Sequence, residues 1–378
     1  MRNKAQGVRG KICGIKIRRI TRNIYLTLML STFVTIMDTI SHIAIGACLG
    51  EKIAPRKIGK HALLWGALAQ NFPDIDAFTS FGDKTAKVLY EHRGISHSFF
   101  TAFIASIVFA FLLSYLYRKK RIKPLYFFIF FFIQINIHLL LDTCNAYGTG
   151  LLEPFSHHRF SFNILYVVDP LFTIVPLVAF VFLLIKRQHT PQRKRWVMLG
   201  IIWPLCYISI ASFNKAIVDK KTKEDIQTQS LKVKDFFTTP TPFNSLLWYI
   251  VTRTDSGYAI AYHSVLDKGQ QIPYTFFQKN DSLLNNYVDP EDIHYLKKFA
   301  DGYYTISRKN DTLEFNVIRF GQVLGWLHPD APFALHYYLM KNADNRIAVQ
   351  RGRFQGWNKE TIYATWKRLW GISDPQSR

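Results

Sequence analysis

The sequence PLYFFIFFFIQINIHLLLD, residues 124–142, decides how this chain folds. The run is apolar and close to the length of about 20 residues that a helix needs to cross a bilayer. Near its end, His138 and Asp142 are four residues apart, so a helix places both side chains on one face. Ionisable groups at membrane depth are costly and usually functional. The run therefore predicts a membrane helix that ends in a functional site.

Further apolar runs lie on both sides of this segment, at 24–50, 62–72, 99–117, 168–185 and 196–213. Short basic segments separate them, such as RKKRIK at 118–123 and KRQHTPQRKR at 186–195. Such segments are typical of cytoplasmic loops in polytopic membrane proteins. The run 62–72 is too short to cross a bilayer alone. The pattern predicts an all-α polytopic membrane domain over 37–214.

The net charge of +22 invites the hypothesis of a nucleic-acid partner, but its distribution argues against one. Residues 1–36 carry eight Lys and Arg residues and no acid, and much of the remaining charge lies in the basic links. We therefore expect the lipid bilayer, and not nucleic acid, to be the partner; the oligomeric state is left open. The four cysteines form no CxxC pair, which argues against a disulfide framework or a thiolate zinc site: Cys13, Cys48, Cys144 and Cys206.

The start of the chain allows three interpretations. If 24–50 were one span that ends at a cytoplasmic loop, the basic tail before it would have to cross the membrane. A natural start at Met37 removes this conflict, and we favour it. The alternatives are a signal-anchor-like segment within 1–36 or a re-entrant hairpin over 24–50.

After about Lys215 the sequence becomes polar and then alternating, which predicts a linker over 215–240 and a mainly β soluble domain over 241–378. The expected strands are Leu246–Thr254, Gly257–Val265, Gly302–Ser307 and Leu313–Phe320. A helix is expected at Lys359–Trp370 with Asn358 as its N-cap. The whole chain is thus expected to be an all-α membrane domain followed by a smaller α+β soluble domain.

Histidines and carboxylates recur around the membrane runs. Asp38 and His42 repeat the spacing of His138 and Asp142, and the segments PDID (73–76) and HRGISHS (92–98) lie between the two pairs. With the basic links inside, one extracytoplasmic face is expected to hold Asp74, Asp76, His92, His97, His138 and Asp142. Each motif alone fits an ordinary turn, cap or surface loop. Together they favour a centre for a divalent metal, most simply zinc, with one to three ions.

We assign the residues as follows. The predicted metal ligands are His42, Asp76, His92, His97, His138 and Asp142. Asp74 is predicted to be catalytic as a general base; the alternatives are a further metal ligand or a side chain that orients an imidazole. The same three roles are open for Asp38. Arg93 and Arg159 are predicted to neutralise a substrate phosphate, because a guanidinium matches its oxygens, or else to be interfacial anchors.

These motifs resemble the YdjM-type membrane-bound metal-dependent hydrolases over about 37–213. The segments that carry the resemblance are MDTISH (37–42), FPDID (72–76), HRGISHS (92–98), HLLLD (138–142), YG (147–148), EPFS (153–156), Arg159 and VDP (168–170). The resemblance implies a bacterial inner-membrane hydrolase and supports a start at Met37. The order of ligands is also remotely similar to zinc-dependent phospholipase C, although its later histidine and HxxxE ligands have no clear counterpart here.

The expected function is hydrolysis of a phosphoester or ester of a lipid-like substrate, such as a phospholipid or polyprenyl phosphate, by zinc-activated water at the outer membrane face. Two alternatives remain open at the level of sequence. One is an ion-coupled transporter or channel, and the other is a non-catalytic, metal-braced anchor for the C-terminal domain.

Overall fold

The computed structural model describes residues 39–76, 85–187, 190–269, 271–286, 290–309, 312–339, 348–349 and 356–372. The interpretations of residues 1–36, of Met37 and of Asp38 lie outside this range. The first part of the described chain is helical: α1 (39–53), α2 (Pro55–Ile58), α3 (His61–Asn71), α4 (Thr85–Glu91), α5 (Phe99–Leu116), α6 (Pro124–Asp142), α7 (Pro170–Ile185) and α8 (Pro191–Thr228).

Three of the described helices, α5, α6 and α8, are long and apolar enough to cross a membrane, and α7 is a shorter apolar helix. Their outward faces carry large apolar side chains that no described part of the chain covers. Phe111 on α5, for example, is 65% exposed. A face of this kind is costly in water and suited to lipid. The predicted all-α membrane architecture is confirmed, and the run 62–72 forms the eleven-residue α3.

Helices α1 and α3 cross with their backbones in contact, because glycines lie at the crossing. A Cβ atom on Gly66 would lie 2.1 Å from the carbonyl oxygen of Gly46, and a Cβ on Gly50 would lie 2.1 Å from that of Ala62. Small residues allow this approach in membrane helix pairs. Gln134 Nε2 of α6 donates to the Gly46 carbonyl oxygen over 3.1 Å, which joins the third helix. The crossing fixes α1, and therefore His42, against α3 and α6.

We expect Gly66→Val to lower the thermal unfolding temperature in detergent, because the new side chain must separate α1 from α3. Overpacking of this type costs about 1–3 kcal/mol. The matched control is Leu68→Val, which places the same side chain at a position that is 51% exposed. Equal unfolding temperatures for the two variants would contradict the proposed backbone contact.

Helices α5 and α6 form an antiparallel hairpin that brings distant residues to one end. Ser98 caps α5 by accepting a hydrogen bond from the Thr101 N–H over 3.1 Å, and Pro124 occupies the first turn of α6. Phe109 and Phe131 pack between the helices with ring centroids 5.1 Å apart. The start of α5 and the end of α6 therefore lie together, away from the basic turn Arg118–Lys120.

The described strands form two four-stranded antiparallel sheets, in the orders β1-β2-β3-β4 and β5-β6-β7-β8. Their bounds are β1 Asp235–Pro240, β2 Leu247–Arg253, β3 Gly257–Ser264, β4 Thr275–Gln278, β5 Tyr304–Lys309, β6 Thr312–Gln322, β7 Phe333–Leu339 and β8 Ala348–Val349. Helices α9 (Pro290–Phe299) and α10 (Lys359–Leu369) accompany them. The predicted α+β class of the C-terminal part is confirmed, and the four expected strands correspond to β2, β3, β5 and β6.

Most of the expected linker over 215–240 belongs to regular elements. Helix α8 continues to Thr228, and β1 occupies Asp235–Pro240. The polar composition of this segment resembles a linker, but its inner face is packed: Val218 lies in one apolar cluster with Trp248 of β2. Lys215 Nζ also donates to the Thr238 carbonyl oxygen over 2.8 Å. The helix therefore passes from the membrane part directly into the β part.

The β part docks on α4, close to the residues singled out from the sequence. Ala86 of α4 lies in one buried cluster with Leu296 and Phe299 of α9. The rings of Tyr90 and Tyr295 extend this contact, with centroids 6.0 Å apart. The sheets are thus held over the end of the membrane part that contains the HRGISHS turn.

Helix α10 begins at Lys359 as predicted, and its N-cap Asn358 forms a reciprocal capping box with Thr361. Near its other end, Arg368 donates to both carboxylate oxygens of Asp267, over 2.6 and 2.8 Å. Burial raises the pKa of Asp267, but hydrogen bonds with His263 and Arg368 more than offset this and hold that pKa well below its usual range. The bidentate pair fastens α10 to the loop after β3.

We expect Asp267→Asn to lower the free energy of unfolding by about 1–3 kcal/mol, because it leaves Arg368 without its charged partner. Since the carboxyl pKa is depressed in the folded state, the stabilisation is present above about pH 4 and lost as the pH falls further. Limited proteolysis of α10 and thermal unfolding measure the effect. Asp255→Asn is the control, because its pair with Lys234 is exposed; a similar loss in both variants would contradict the assignment.

Candidate metal centre

Four side chains from separate parts of the helical region converge at the end of the α5–α6 hairpin. Asp74, His97, His138 and Asp142 each offer one ligand atom, and these atoms all lie within 4.8 Å of one another. His97 Nε2 lies 3.3 Å from both Asp74 Oδ1 and Asp142 Oδ2, and His138 Nε2 lies 3.5 Å from Asp142 Oδ2. Two imidazoles and two carboxylates are a donor set that suits zinc and similar divalent ions.

Several of these polar atoms lack a hydrogen-bond partner in the described part of the chain, as expected at a site that binds a cation. Four buried atoms have no hydrogen-bond partner among the described residues: His97 Nε2, His138 Nδ1, His138 Nε2 and Asp142 Oδ2. Leaving a buried polar atom unsatisfied costs about 1–3 kcal/mol, and such atoms are rare in folded proteins. Three of these atoms face one another: His97 Nε2 and His138 Nε2 lie 3.3 and 3.5 Å from Asp142 Oδ2. A divalent ion between them would satisfy them together.

Local sequence explains how each ligand arrives. Pro73 starts a short 3-10 helix that contains Asp74, and a second one, Ile95–His97, ends at His97 immediately before α5. In α6 the four-residue spacing aligns His138 and Asp142, as the sequence predicted. The first short helix follows α3 and the second precedes α5. The positions of α3 and α5 therefore set the distances between the ligands.

Asp76 lies beside the four-residue set and orders the HRGISHS turn. Its Oδ2 accepts hydrogen bonds from the Arg93 N–H over 3.0 Å and the Ser96 hydroxyl over 2.8 Å. The same carboxylate lies 3.2 Å from His92 Nδ1 and 3.4 Å from His97 Nδ1. Holding one ring nitrogen of His97 directs the other towards Asp74 and Asp142, as carboxylates commonly do behind metal-binding histidines. The ligand roles predicted for Asp76 and His92 remain predictions.

His42 contacts the opposite side of Asp142. Its Nε2 lies 3.4 Å from Asp142 Oδ1, and its ring lies 4.0 Å from that of His138, centroid to centroid. His42 Nδ1 lies 3.2 Å from Gln70 Oε1, a fully buried side chain of α3. Sequence reasoning missed Gln70, although an amide within the apolar run 62–72 was a usable signal. Ser96 was missed as well, because its role depends on the folded turn.

Arg93 supplies a permanent positive charge to the centre. Its Nε lies 3.2 Å from Asp142 Oδ2, and its guanidinium stacks over the Tyr147 ring at 5.3 Å. Arg93 has φ of 60°, in the left-handed region, and its N–H is held by Asp76. The predicted phosphate contact of Arg93 is untested, but its present partner is the carboxylate of a candidate ligand.

Arg159 lies behind the turn. Its guanidinium donates to the carbonyl oxygens of Tyr90 over 2.7 Å and of Arg93 over 2.5 Å. These bonds fix the backbone that carries His92 and Arg93. The predicted catalytic role of Arg159 remains a prediction, and in this structure the side chain also lines a cavity next to the centre.

Electrostatics near the centre favour ionised carboxylates. Burial raises the pKa of Asp74, but the adjacent His138 and His97 more than offset it and lower that pKa to about 2. Burial lowers the pKa of His97, but the adjacent carboxylates of Asp142, Asp74 and Asp76 more than offset this and raise that pKa well above its ordinary value. The carboxylates thus attract positive charge strongly, either as a proton on His97 or as a metal ion.

We expect the purified chain to retain a divalent metal after detergent extraction, and His138→Ala and Asp142→Ala to lose it, because each removes a direct ligand. Asp76→Asn should weaken metal affinity by about 10–100-fold, as expected for a residue that orients a ligand. Elemental analysis and competition with a metal-binding dye measure both effects.

His61→Ala is the control, since that exposed histidine pairs with Tyr117 outside the centre. Metal content unaffected by His138→Ala would contradict the assignment.

Two comparisons with known proteins show the family of this chain. A family model, the YdjM inner membrane protein, matches residues 37–218. The inner membrane protein YbcI of Escherichia coli K12 is 30% identical over 124 residues, which cover 32% of this chain and 69% of YbcI. The chain belongs to the YdjM inner membrane protein family. The predicted family is confirmed, whereas the remote similarity to phospholipase C is not shown by the comparisons.

The uncharacterized protein YfhP of Bacillus subtilis is 27% identical over 150 residues, which cover 38% of this chain. The chain spans less than half of YfhP, since the matched part is 45% of that protein. No solved structure matches the chain. The YdjM match contains every residue of the candidate centre and ends within α8, so most of the β part lies beyond it. Together with the three apolar helices, family membership supports an inner-membrane location.

Proposed function

We propose that this protein is a membrane-bound, metal-dependent hydrolase that cleaves a phosphoester or ester of a lipid-like substrate. The observation that carries the proposal is the convergence of Asp74, His97, His138 and Asp142 around unsatisfied buried nitrogen and oxygen atoms. A divalent ion, most simply Zn2+, bound there would lower the pKa of a coordinated water towards neutrality and polarise the bond to be cleaved. The number of ions that fits best is one, since one four-residue set is formed among the described residues.

The surrounding residues have distinct tasks in this proposal. Asp74 is the most solvent-accessible of the four, with a side chain 20% exposed, whereas His97, His138 and Asp142 are almost fully buried. Asp74 would hold the ion through Oδ1, the oxygen that faces His97 and His138, which leaves its Oδ2 to take the proton of the attacking water as the water oxygen bonds to phosphorus or carbon. The ester bond to the leaving oxygen then breaks, and the same proton is available to that oxygen. Asp76 and Arg93 keep His97 and Asp142 oriented.

The position of the centre supports a substrate from the membrane. The ligands lie where α5 begins and α6 ends, which is the level at which a bilayer meets water if those helices span it. The basic link 118–123 joins the opposite ends of these two helices, and positive charge favours the cytoplasmic side. The proposal therefore places the centre and the β part on the extracytoplasmic side. A clustered set at one membrane face also argues against an ion pathway across the bilayer.

The test uses the full chain purified in detergent and loaded with Zn2+, Mn2+ or Mg2+. Product release is measured on a panel of short-chain phospholipids, phosphatidate, polyprenyl phosphates and carboxyl esters, with and without chelator. We expect turnover that requires metal, that is abolished by His138→Ala, and that falls about 10–100-fold in Asp76→Asn. His61→Ala should retain activity.

Three outcomes contradict this function. Stoichiometric metal without turnover on the whole panel would indicate that the ion only braces the membrane part. No bound metal, with His138→Ala behaving as the unchanged protein does, would remove the basis of the hydrolase. Metal-dependent ion flux in liposomes without any hydrolysis would indicate the transporter alternative.

A further inference from the structure

A cavity of about 460 Å³ lies between the family domain and the C-terminal β part, next to the candidate metal centre. One wall is formed by the HRGISHS turn and the loop after α6, and the opposite wall by α9 and β6. The second wall lies outside the part of the chain that matches the family model. Its chemistry therefore adds something that membership of the family does not assign.

The cavity lining is strongly cationic. It contains four permanently charged cations and one carboxylate: Arg159, Lys297, Lys298, Arg319 and Asp301. Four histidines also line it. Walls of one charge sign concentrate the field inside a cleft and attract an oppositely charged ligand.

Arg319 is the decisive side chain. Only 7% of it is exposed, and its one charge partner among the described residues is Asp301, 4.0 Å away and itself 69% exposed. Among these residues the guanidinium has no hydrogen bond, although it carries five donors. Burial lowers the pKa of Arg319, which reflects the cost of keeping this charge away from water. A buried, charged group without hydrogen bonds calls for an anionic partner.

The other cations differ in how far they are already engaged. Lys297 Nζ lies 3.0 Å from Asp281, so much of its charge is compensated. Lys298 is exposed at the cavity rim and lies over the Tyr90 ring at 5.4 Å, with no carboxylate partner among the described residues. Lys298 and Arg319 are therefore the two cations most available to a ligand.

Gly148 keeps this cavity open between the two walls. Its φ of +86° disfavours any side chain, and a Cβ there would lie 3.1 Å from the Arg159 Cβ and 3.8 Å from Arg319 Nη2. A larger residue would therefore occupy space between the aliphatic stem of Arg159 and the guanidinium of Arg319. A guanidinium with open space beside it is well suited to phosphate, whose oxygens accept several charge-assisted hydrogen bonds.

Two series of side-chain contacts connect the cavity with the metal centre. His92 lines the cavity and contacts Asp76, which in turn holds His97. Tyr147 also lines the cavity and lies under Arg93, which contacts Asp142. A molecule bound in the cavity would thus lie against His92 and Tyr147. These residues contact Asp76 and Arg93, the side chains that orient the metal ligands His97 and Asp142.

We propose that this cavity binds the phosphate group of an anionic ligand through Arg319 and Lys298. The inference rests on the proposed function in one respect, since it assigns the bound phosphate to the substrate of the neighbouring metal centre. The C-terminal β part is then the substrate-recognition element of the protein. The shared chemistry is a phosphate, carried either by a lipid headgroup or by a soluble molecule.

The experiment measures binding of inorganic phosphate and of dihexanoyl phosphatidate to the full chain in a non-ionic detergent, by calorimetry at two salt concentrations. Lys298→Gln and Arg319→Gln should each weaken binding about tenfold or more, because each removes charge-assisted hydrogen bonds. Lys298 is exposed, so its variant should fold even if the buried Arg319→Gln does not. Arg308→Gln removes an exposed charge of β5 outside the lining and should leave binding unchanged.

His138→Ala separates this inference from the proposed function. Phosphate binding that survives His138→Ala and falls in Lys298→Gln supports the cavity, even if no hydrolysis is ever observed. Binding that is lost in His138→Ala but unaffected by Lys298→Gln would place the anion on the metal and overturn the inference, as would absence of binding by either probe. Much tighter binding of phosphatidate than of inorganic phosphate indicates a lipid headgroup, and equal binding indicates a soluble phosphate.

Discussion

The Asp142 carboxylate is the group on which the rest of the structure depends. It is almost fully buried at the end of a membrane helix, and His42, Arg93, His97 and His138 all contact it. A carboxylate is stable in such a place only if positive charge and hydrogen-bond donors surround it. Helix α1, helix α6 and the turn before α5 therefore meet at this point.

Much of the fold was predictable from sequence. Apolar length identified α5, α6 and α8, and alternation with turn residues identified β2, β3, β5 and β6. The linker prediction over 215–240 differed from the observed elements because a polar composition does not reveal packing. Val218 and Trp248 meet only after folding, so the continuation of α8 into the β part carries no local signal.

The candidate centre was predictable in part. Residue type and spacing identified His97, His138 and Asp142, and the sidedness argument placed Asp74 with them. Which carboxylate belongs to the four-residue set and which one orders the turn depends on the nitrogen of the His97 ring that each one faces, Nε2 for Asp74 and Nδ1 for Asp76. Sequence carries no such information, and the supporting contacts of Gln70 and Ser96 likewise require the folded backbone.

The length of α8 has a mechanical consequence. Its 38 residues extend about 57 Å at 1.5 Å per residue, roughly twice the thickness of the bilayer hydrocarbon. The C-terminal part of this helix packs directly on the β sheets, where Val218 lies in one apolar cluster with Trp248. The sheets are thus attached to the membrane part twice, through α8 and through the contact of α9 with α4, and the spacing of those two helices sets the width of the space beneath the sheets.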